Sequence, residues 1–269
     1  MGFEWDEEKR RSNIEDHKID FRVAVRIFRH PMIEAVDERD DYGEGLDEAE
    51  LAALIAGFKP SGHYPVVALA AATGARRNEL LALRWTDLDE KKKTLRFERA
   101  WEQTRRFGLR LKPPKTKRGL RTITLDTGTI TMLNVEKDRH LRIRAGIPDG
   151  ADVDLTLVRL PPGALMFPAL PAAGQDFEFT APRNPRNFSK EFARRANRLG
   201  FGSTRFHDLR GIHATALLDA SIPVHSVAER IGDDPAVLLR NYVKRKRTKT
   251  ADTSLSNAIE ALAANFLGS

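Results

Sequence analysis

Between two long blocks of helical periodicity, residues 94–125 break into short runs, TLRFERAWEQ, FGLRLKPP and LRTITL, separated by Gly, Pro and Lys-rich turns. Runs of that length between turn residues suit β-strands, so this stretch reads as a small antiparallel sheet. The flanks read as helix. LDEAELAALIAGF (46–58) is amphipathic, with acids in its first turn where the helix dipole favours them. HYPVVALAAATG (63–74) is apolar nearly all round, as a buried helix is. Gly74 punctuates it and ARRNELLALRW (75–85) reads as another helix. Helical pattern returns from Thr127 to about Arg144, then in RNFSKEFARRANRLG, HDLRGIHATALLDA, VHSVAERIG, PAVLLRNYVKR and, after a basic run, SNAIEALAANFL. Residues 146–185, rich in Pro, Gly and Ala, read as a long, partly irregular surface connection. The expected fold class is α+β, mainly α-helical, with Trp85 and Trp101 in the core.

The first segment differs in charge. FEWDEEKRRSNIEDHK reads as a charged helix, and Asp20 caps a second one with Phe21, Ala24, Val25 and Phe28 on one face. Pro31 ends it, and DERDDYGEG is an acidic, Gly-bearing linker. Residues 1–50 carry 8 Lys/Arg against 16 Asp/Glu, whereas residues 51–269 carry 37 against 22, a change from −8 to +15. The sign changes close to Gly45, which sets the expected division into an acidic helical segment (1–45) and a larger domain (46–269).

Composition excludes several chemistries. With no cysteine there is no disulfide, Cys nucleophile or thiolate metal site. No apolar run approaches the ~20 residues of a membrane-spanning helix. MGFEWDEEKR is too acidic for a signal peptide, so a cytoplasmic protein is expected. A basic body of this size suits phosphate, because each neutralised phosphate releases counterions. Charge alone is equally compatible with a solvated basic surface.

Four strings supply what charge does not. ATGARRNELLALRW (72–85), PPKTKRGLRTITL (113–125), FHDLRGIHATALL (206–218) and ERIGDDPAVLLRNYVKR (229–245) occur in that order. Together they resemble the catalytic domain of tyrosine recombinases, the phage integrase family, over roughly Leu46 to Ser269. The first resembles the family's arginine box, matching Arg76 and Glu79; the second its β-hairpin, whose turn presents a catalytic lysine, here Lys115. The third resembles the H-x-x-R box, with His207 and Arg210, and the fourth the box carrying the nucleophile, here Tyr242. Taken singly, each has a plainer reading. Arg76 and Glu79 are spaced i, i+3 and could simply pair on a helix surface. Lys115 sits among other basic residues, His207 suits any helix N-terminus, and Tyr242 suits the rim of a basic surface.

The resemblance implies a metal-independent and cofactor-independent reaction on duplex DNA. Attack on phosphorus gathers negative charge on the non-bridging oxygens, and two guanidinium groups, Arg76 and Arg210, suit a clamp that strengthens as charge develops. A tyrosine hydroxyl, with a pKa of ~10, needs nearby cations and a proton acceptor, the role implied for His207. Lys115 would protonate the departing 5′-oxygen, and the 3′-phosphotyrosyl link would conserve the bond energy for rejoining. Integration or excision of a mobile element, by a tetramer on paired sites in the bacterial nucleoid, is the implied setting. SNAIEALAANFL is a candidate for docking on a neighbouring subunit.

The match departs in three places. The family usually has histidine or tryptophan in a G-H string near the nucleophile, and this chain has Gly232-Asp233. A second histidine often follows the H-x-x-R arginine directly; here Gly211 stands there and His213 lies two residues on. A helical core-binding domain usually precedes the catalytic one, whereas residues 3–44 resemble the first half of BrnT-type RNase toxins, with FEWDEEKRRSN, His17, Phe21 and Pro31. These departures keep two other readings open: a catalytically impaired DNA-binding remnant, and an interaction module whose residues 1–45 hold a protein partner. A type IB topoisomerase, sharing the chemistry, is the enzymatic rival.

Overall fold

The computed structural model describes residues 7–17, 46–104, 106–113 and 117–249. The chain forms two compact units, Met1–Asp41 and Tyr42–Ser269. In the first, the described element is helix α1 (Glu7–His17), with Glu7 and Glu8 in its first turn and an Arg10–Glu7 ion pair at 2.9 Å. The helix expected after Asp20, the turn holding Lys115 and the segment SNAIEALAANFL all lie outside the described residues.

The second unit opens with α2 (Glu48–Phe58), set by a capping box in which Asp47 accepts from the Glu50 N–H and Glu50 from the Asp47 N–H. Helix α3 (Tyr64–Thr73) buries Val66, Val67, Leu69 and Ala70 almost all round, as its composition requires. Gly74 ends it in the left-handed region, φ 64°. The next helix is shorter than its sequence suggests: α4 (Arg77–Leu80) is a single turn. Beyond it the backbone leaves the helical ladder because 164–166 supplies other partners. Met166 N–H donates to the Leu83 carbonyl at 2.8 Å and Trp85 N–H to that of Ala164 at 3.2 Å.

The strands follow: β1 (Leu88–Asp89), β2 (Thr94–Phe97), β3 (Ala100–Thr104), β4 (Gly108–Lys112) and β5 (Arg121–Thr124). They form two antiparallel sheets, β1-β2-β5 and β3-β4, so TLRFERAWEQ is two strands divided at Glu98-Arg99. Register Leu95↔Ile123 turns Leu95, Phe97 and Ile123 into the core while Arg96 stays outside. At the break, Arg99 bonds to the buried Asp87 carboxylate at 2.6 Å.

Helix α5 (Thr127–Ala145) starts at the Asp126 cap and ends at Gly146. The connection to α6 (Pro185–Arg198) is irregular, as expected, but it is not confined to the surface. Leu155, Leu165, Met166, Phe167 and Phe179 are buried in it. Its apolar residues fill the space against α5, and its backbone bonds to itself across Leu165–Phe179 and Ala169–Ala181. Trp85 is buried, its indole N–H donating to His140 Nδ1 at 3.0 Å; Trp101 is half-buried and packs on the core.

Helix α6 inserts Phe188, Phe192 and Ala196, and Phe192 stacks on Phe58 at 5.2 Å. Three further helices follow among the described residues: α7 (Asp208–Asp219), α8 (Val224–Ile231) and α9 (Pro235–Lys249). A second, smaller apolar cluster of Ala214, Val227, Ala228, Ile231 and Leu238 joins them. Among the described residues no helix is long and apolar enough to cross a membrane. Phe192 is fully buried between α2 and Phe206. Phe192→Ala is therefore expected to lower unfolding stability by about 3–5 kcal/mol, measured by urea denaturation.

Candidate active site

The C-terminus of α3, the start of α4 and the C-terminus of α8 converge on the N-terminal half of α7. Arg210 ties them together. Its side chain is 3% exposed, and Nη1 donates to the carbonyls of Gly74 at 2.8 Å and Ile231 at 2.7 Å. Those carbonyls are left without intrahelical partners where α3 and α8 end, so the arginine caps both helices at once. Its Nη2 donates to Asp233 Oδ2 at 2.8 Å.

Asp233 is the meeting point. Its other oxygen, Oδ1, lies 3.4 Å from Arg76 Nη2, so one carboxylate bridges two guanidinium groups. The backbone fixes it there. Gly232 takes φ 72°, and the N–H of Asp233 returns to the Ala228 carbonyl at 2.9 Å, closing α8 in a Schellman-type cap. A Cβ on Gly232 would sit 2.8 Å from Arg121 Nη1 and 3.0 Å from the Arg118 carbonyl, so the turn needs glycine for space as well as conformation.

Arg76 stands at the N-cap of α4 and is held by Glu79, whose carboxylate accepts from the Arg76 N–H at 3.0 Å and from Nη1 at 3.2 Å. Glu79 is buried, and its Oε2 also accepts from Arg121 Nη2 at 2.8 Å. Burial opposes the charge on Glu79, but the hydrogen bond and charge of Arg121, with Arg76 behind them, outweigh it and hold the carboxyl below its ordinary range. Arg121 comes from β5, donates Nε to the Arg230 carbonyl at 2.8 Å and stacks over Phe97 at 4.3 Å. Glu79 thus does more than pair on a helix surface: it joins the sheet to the arginine site.

For Arg210, burial and then the neighbouring charge of Arg76 lower the pKa, while Asp233 draws it back up. The guanidinium stays cationic throughout.

His213 lies one turn beyond Arg210 and acts on structure. Its Nε2 accepts from Arg230 Nε at 3.2 Å, which leaves the proton on Nδ1, 2.9 Å from the Ala71 carbonyl. Arg230 also reaches the carbonyls of Thr124 and Ala72, binding β5 to α3. A Cβ on Gly74 would meet His213 Cδ2 at 2.8 Å. Burial, and next the charge of Arg230, push the His213 pKa down to about 4.

His207, the residue before α7, is exposed and lines an open cleft with Arg76, Arg77, Lys190 and Arg205. Among the described residues no carboxylate lines that cleft, although Arg205 is paired with Asp208 at 3.1 Å. Tyr242 lines a small cavity with Arg210 and Asp233. Its hydroxyl, however, donates to Asp219 Oδ1 at 2.8 Å. Asp219 is the last residue of α7, nine positions beyond Arg210, or about 13 Å along the helix axis. The structure brings Arg76, Glu79, Arg210 and Asp233 together with His207 and Tyr242 at the edges, and it directs the Tyr242 hydroxyl away from the arginines. Arg121, Arg230 and Asp219 were not singled out in the sequence. For the two arginines the signal there was local, a basic residue in a half-buried strand or helix that needs a partner; Asp219, an exposed acid at a helix end, carried none.

The family model described as the phage integrase family matches residues 45–248. A tyrosine recombinase XerC-like protein of Caldanaerobacter subterraneus subsp. tengcongensis is 28% identical over 208 residues, 72% of this chain and 47% of that protein. The chain thus spans about half the length of this relative. Among solved structures, the Tn1549 transposon integrase in complex with circular intermediate DNA is similar at a TM-score of 0.62 and 18% identity, over 90% of this chain and 76% of that one. The same integrase with transposon right end DNA gives 0.60 and 18% over 82% and 66%. XerA recombinase gives 0.52 and 15% over 81% and 63%. At these identities the likeness to solved structures is one of fold.

The depressed pKa of His213 has a definite sign. Between pH 6.5 and about 4 the unfolded chain binds a proton that the folded site refuses, so stability is present above that window and falls as pH drops through it. The fall is expected to reach about 3 kcal/mol for this group, and urea unfolding from pH 7 to 4 should show a shallower decline in His213→Gln. An equal slope in both proteins would contradict the assignment.

Proposed function

Because the chain belongs to the phage integrase family, we propose that it cuts and rejoins duplex DNA through Tyr242, in the integration or excision of a mobile element. The observation that carries this reading is the convergence of Arg76 and Arg210 on a single carboxylate. Two guanidinium groups that share one bridging anion have the spacing to share two non-bridging oxygens of a phosphodiester.

In the proposed reaction, the scissile phosphate replaces the Asp233 carboxylate between the two arginines. The Tyr242 oxygen leaves Asp219, attacks phosphorus and forms the new P–O bond. Its proton passes to His207, and the bond to the 5′-oxygen breaks. Lys115, outside the described residues, supplies the proton to that oxygen. The arginines stabilise the charge gathered on the phosphoryl oxygens, so their effect falls on the transition state. Glu79 positions Arg76, and His213 positions Arg230; neither touches the reacting atoms. The cleft of Arg77, Lys190 and Arg205, in which Arg205 is paired with Asp208, supports a DNA strand entering beside His207. The solved relatives bound to DNA support the same substrate. A tetramer on paired sites in the bacterial nucleoid is the assembly this reading calls for, with residues 1–45 as the segment that would serve a protein partner.

Two observations favour a second reading, a DNA-binding protein without turnover. The Tyr242 hydroxyl is bonded to Asp219, and Asp233 fills the arginine site. A nicked suicide duplex separates the two. Wild type is expected to form a covalent protein–DNA band that is absent in Tyr242→Phe and reduced at least ~10²-fold in Arg210→Ala. Intact DNA binding with no band in wild type would establish the second reading instead.

A further inference from the structure

We propose that Asp233 is a built-in occupant of the phosphate site, an internal anion that DNA must displace before the arginines can act. This rests on the reading of the Arg76–Arg210 pair as a phosphate clamp. Three features of the site lead to it.

The first is how the carboxylate sits. Each oxygen goes to a different guanidinium, Oδ2 to Arg210 at 2.8 Å and Oδ1 to Arg76 at 3.4 Å. This is the two-oxygen, two-arginine pattern through which a phosphodiester would be held. The second is the need it meets. Arg210 is almost fully buried beside a second arginine. Two cations so placed, one of them stripped of water, require a counter-ion whenever no ligand is bound.

The third feature concerns release. The Asp233 backbone is fixed by the Schellman-type cap of α8 and by Asp234, which ends the turn by accepting from the Ala236 N–H and pairing with Arg118. Releasing the arginines therefore requires rotation of the Asp233 side chain and loss of the bond that its Oδ1 accepts from the Asp234 N–H at 3.2 Å, while the backbone stays in place. The side chain is 21% exposed and that of Arg76 is 41% exposed, so the carboxylate has water to enter when an anion takes its place. A histidine or tryptophan at this position would be no such competitor. The acid sets a threshold: only a ligand that binds both arginines and adds contacts elsewhere, such as a duplex, outbids it, whereas an isolated anion binds weakly.

The test uses the full chain and two isolated changes, Asp233→Asn and Asp233→Ser, with Asp176→Asn, an exposed position of the 146–184 connection, as a charge-matched control. Inorganic phosphate is titrated first, with thermal stabilisation as the readout. Both Asp233 variants are expected to bind phosphate about tenfold more tightly than wild type, the control not. On the nicked duplex at sub-saturating DNA, both are also expected to form the covalent adduct faster. Phosphate affinity that is unchanged or weaker in folded variants overturns the inference, as does slower adduct formation. If neither variant folds, Asp233 is a structural counter-ion and the inference also fails. Tighter phosphate binding with no adduct in any protein would leave the inference standing and remove the strand-transfer reading on which the proposed function depends.

Discussion

A guanidinium taken out of water must be solvated by the protein, and in this structure that requirement organises everything around it. Arg210 finds its solvation in two helix-terminal carbonyls and one carboxylate, from Gly74, Ile231 and Asp233. Because one partner stands at the end of α3 and the other two at the end of α8, while Arg210 itself lies on α7, the arginine cannot be in place unless α3, α7 and α8 are packed. The same logic extends outward. Glu79, buried and ionised, needs Arg121 as well as Arg76, and so draws β5 to the start of α4. Arg230, through His213 and the carbonyls of Ala72 and Thr124, closes the circuit from α8 back to α3 and β5. The site is a set of buried charges whose mutual satisfaction and the fold are one requirement, since removing one partner leaves the other charge uncompensated.

The sequence carried the helices well where caps and periodicity agreed. Asp47 with Glu50, Asp126 and Asn184 open α2, α5 and α6 where their side chains accept backbone N–H groups. It failed where long-range backbone pairing decides. ARRNELLALRW has helical periodicity to its end, yet the chain leaves the helix after Leu80 because residues 164–166 pair with Leu83 and Trp85. No local pattern announces a partner eighty residues away. The same blindness made residues 146–185 look like a surface connection. Their Pro and Gly content describes the backbone correctly, while Phe167 and Phe179 are core residues.

At the site, residue types and order identified Arg76, Glu79, His207, Arg210 and Tyr242, but not how they are linked. Asp233 read as a departure from the family's G-H string; in three dimensions it is the anion that two arginines share. His213 read as a displaced version of a family histidine and proves to orient Arg230, with a ring kept neutral by burial. Arg121 looked like one more basic residue of the Lys-rich turn, and its burial against Glu79 and Phe97 is invisible until the register of β5 is known. Tyr242 was proposed as the nucleophile from its place in the chain, whereas its bond to Asp219 depends on how α9 packs on α7.

The account stands on one claim, that a single phosphodiester is shared by Arg76 and Arg210 and attacked by Tyr242. The most direct measurement is to trap the adduct on a nicked duplex, digest the DNA and the protein, and locate the residual nucleotide by peptide mass spectrometry. The account requires the nucleotide mass on the peptide containing Tyr242, joined through a 3′-phosphate. A nucleotide on any other residue, or attached through a 5′-phosphate, would contradict it.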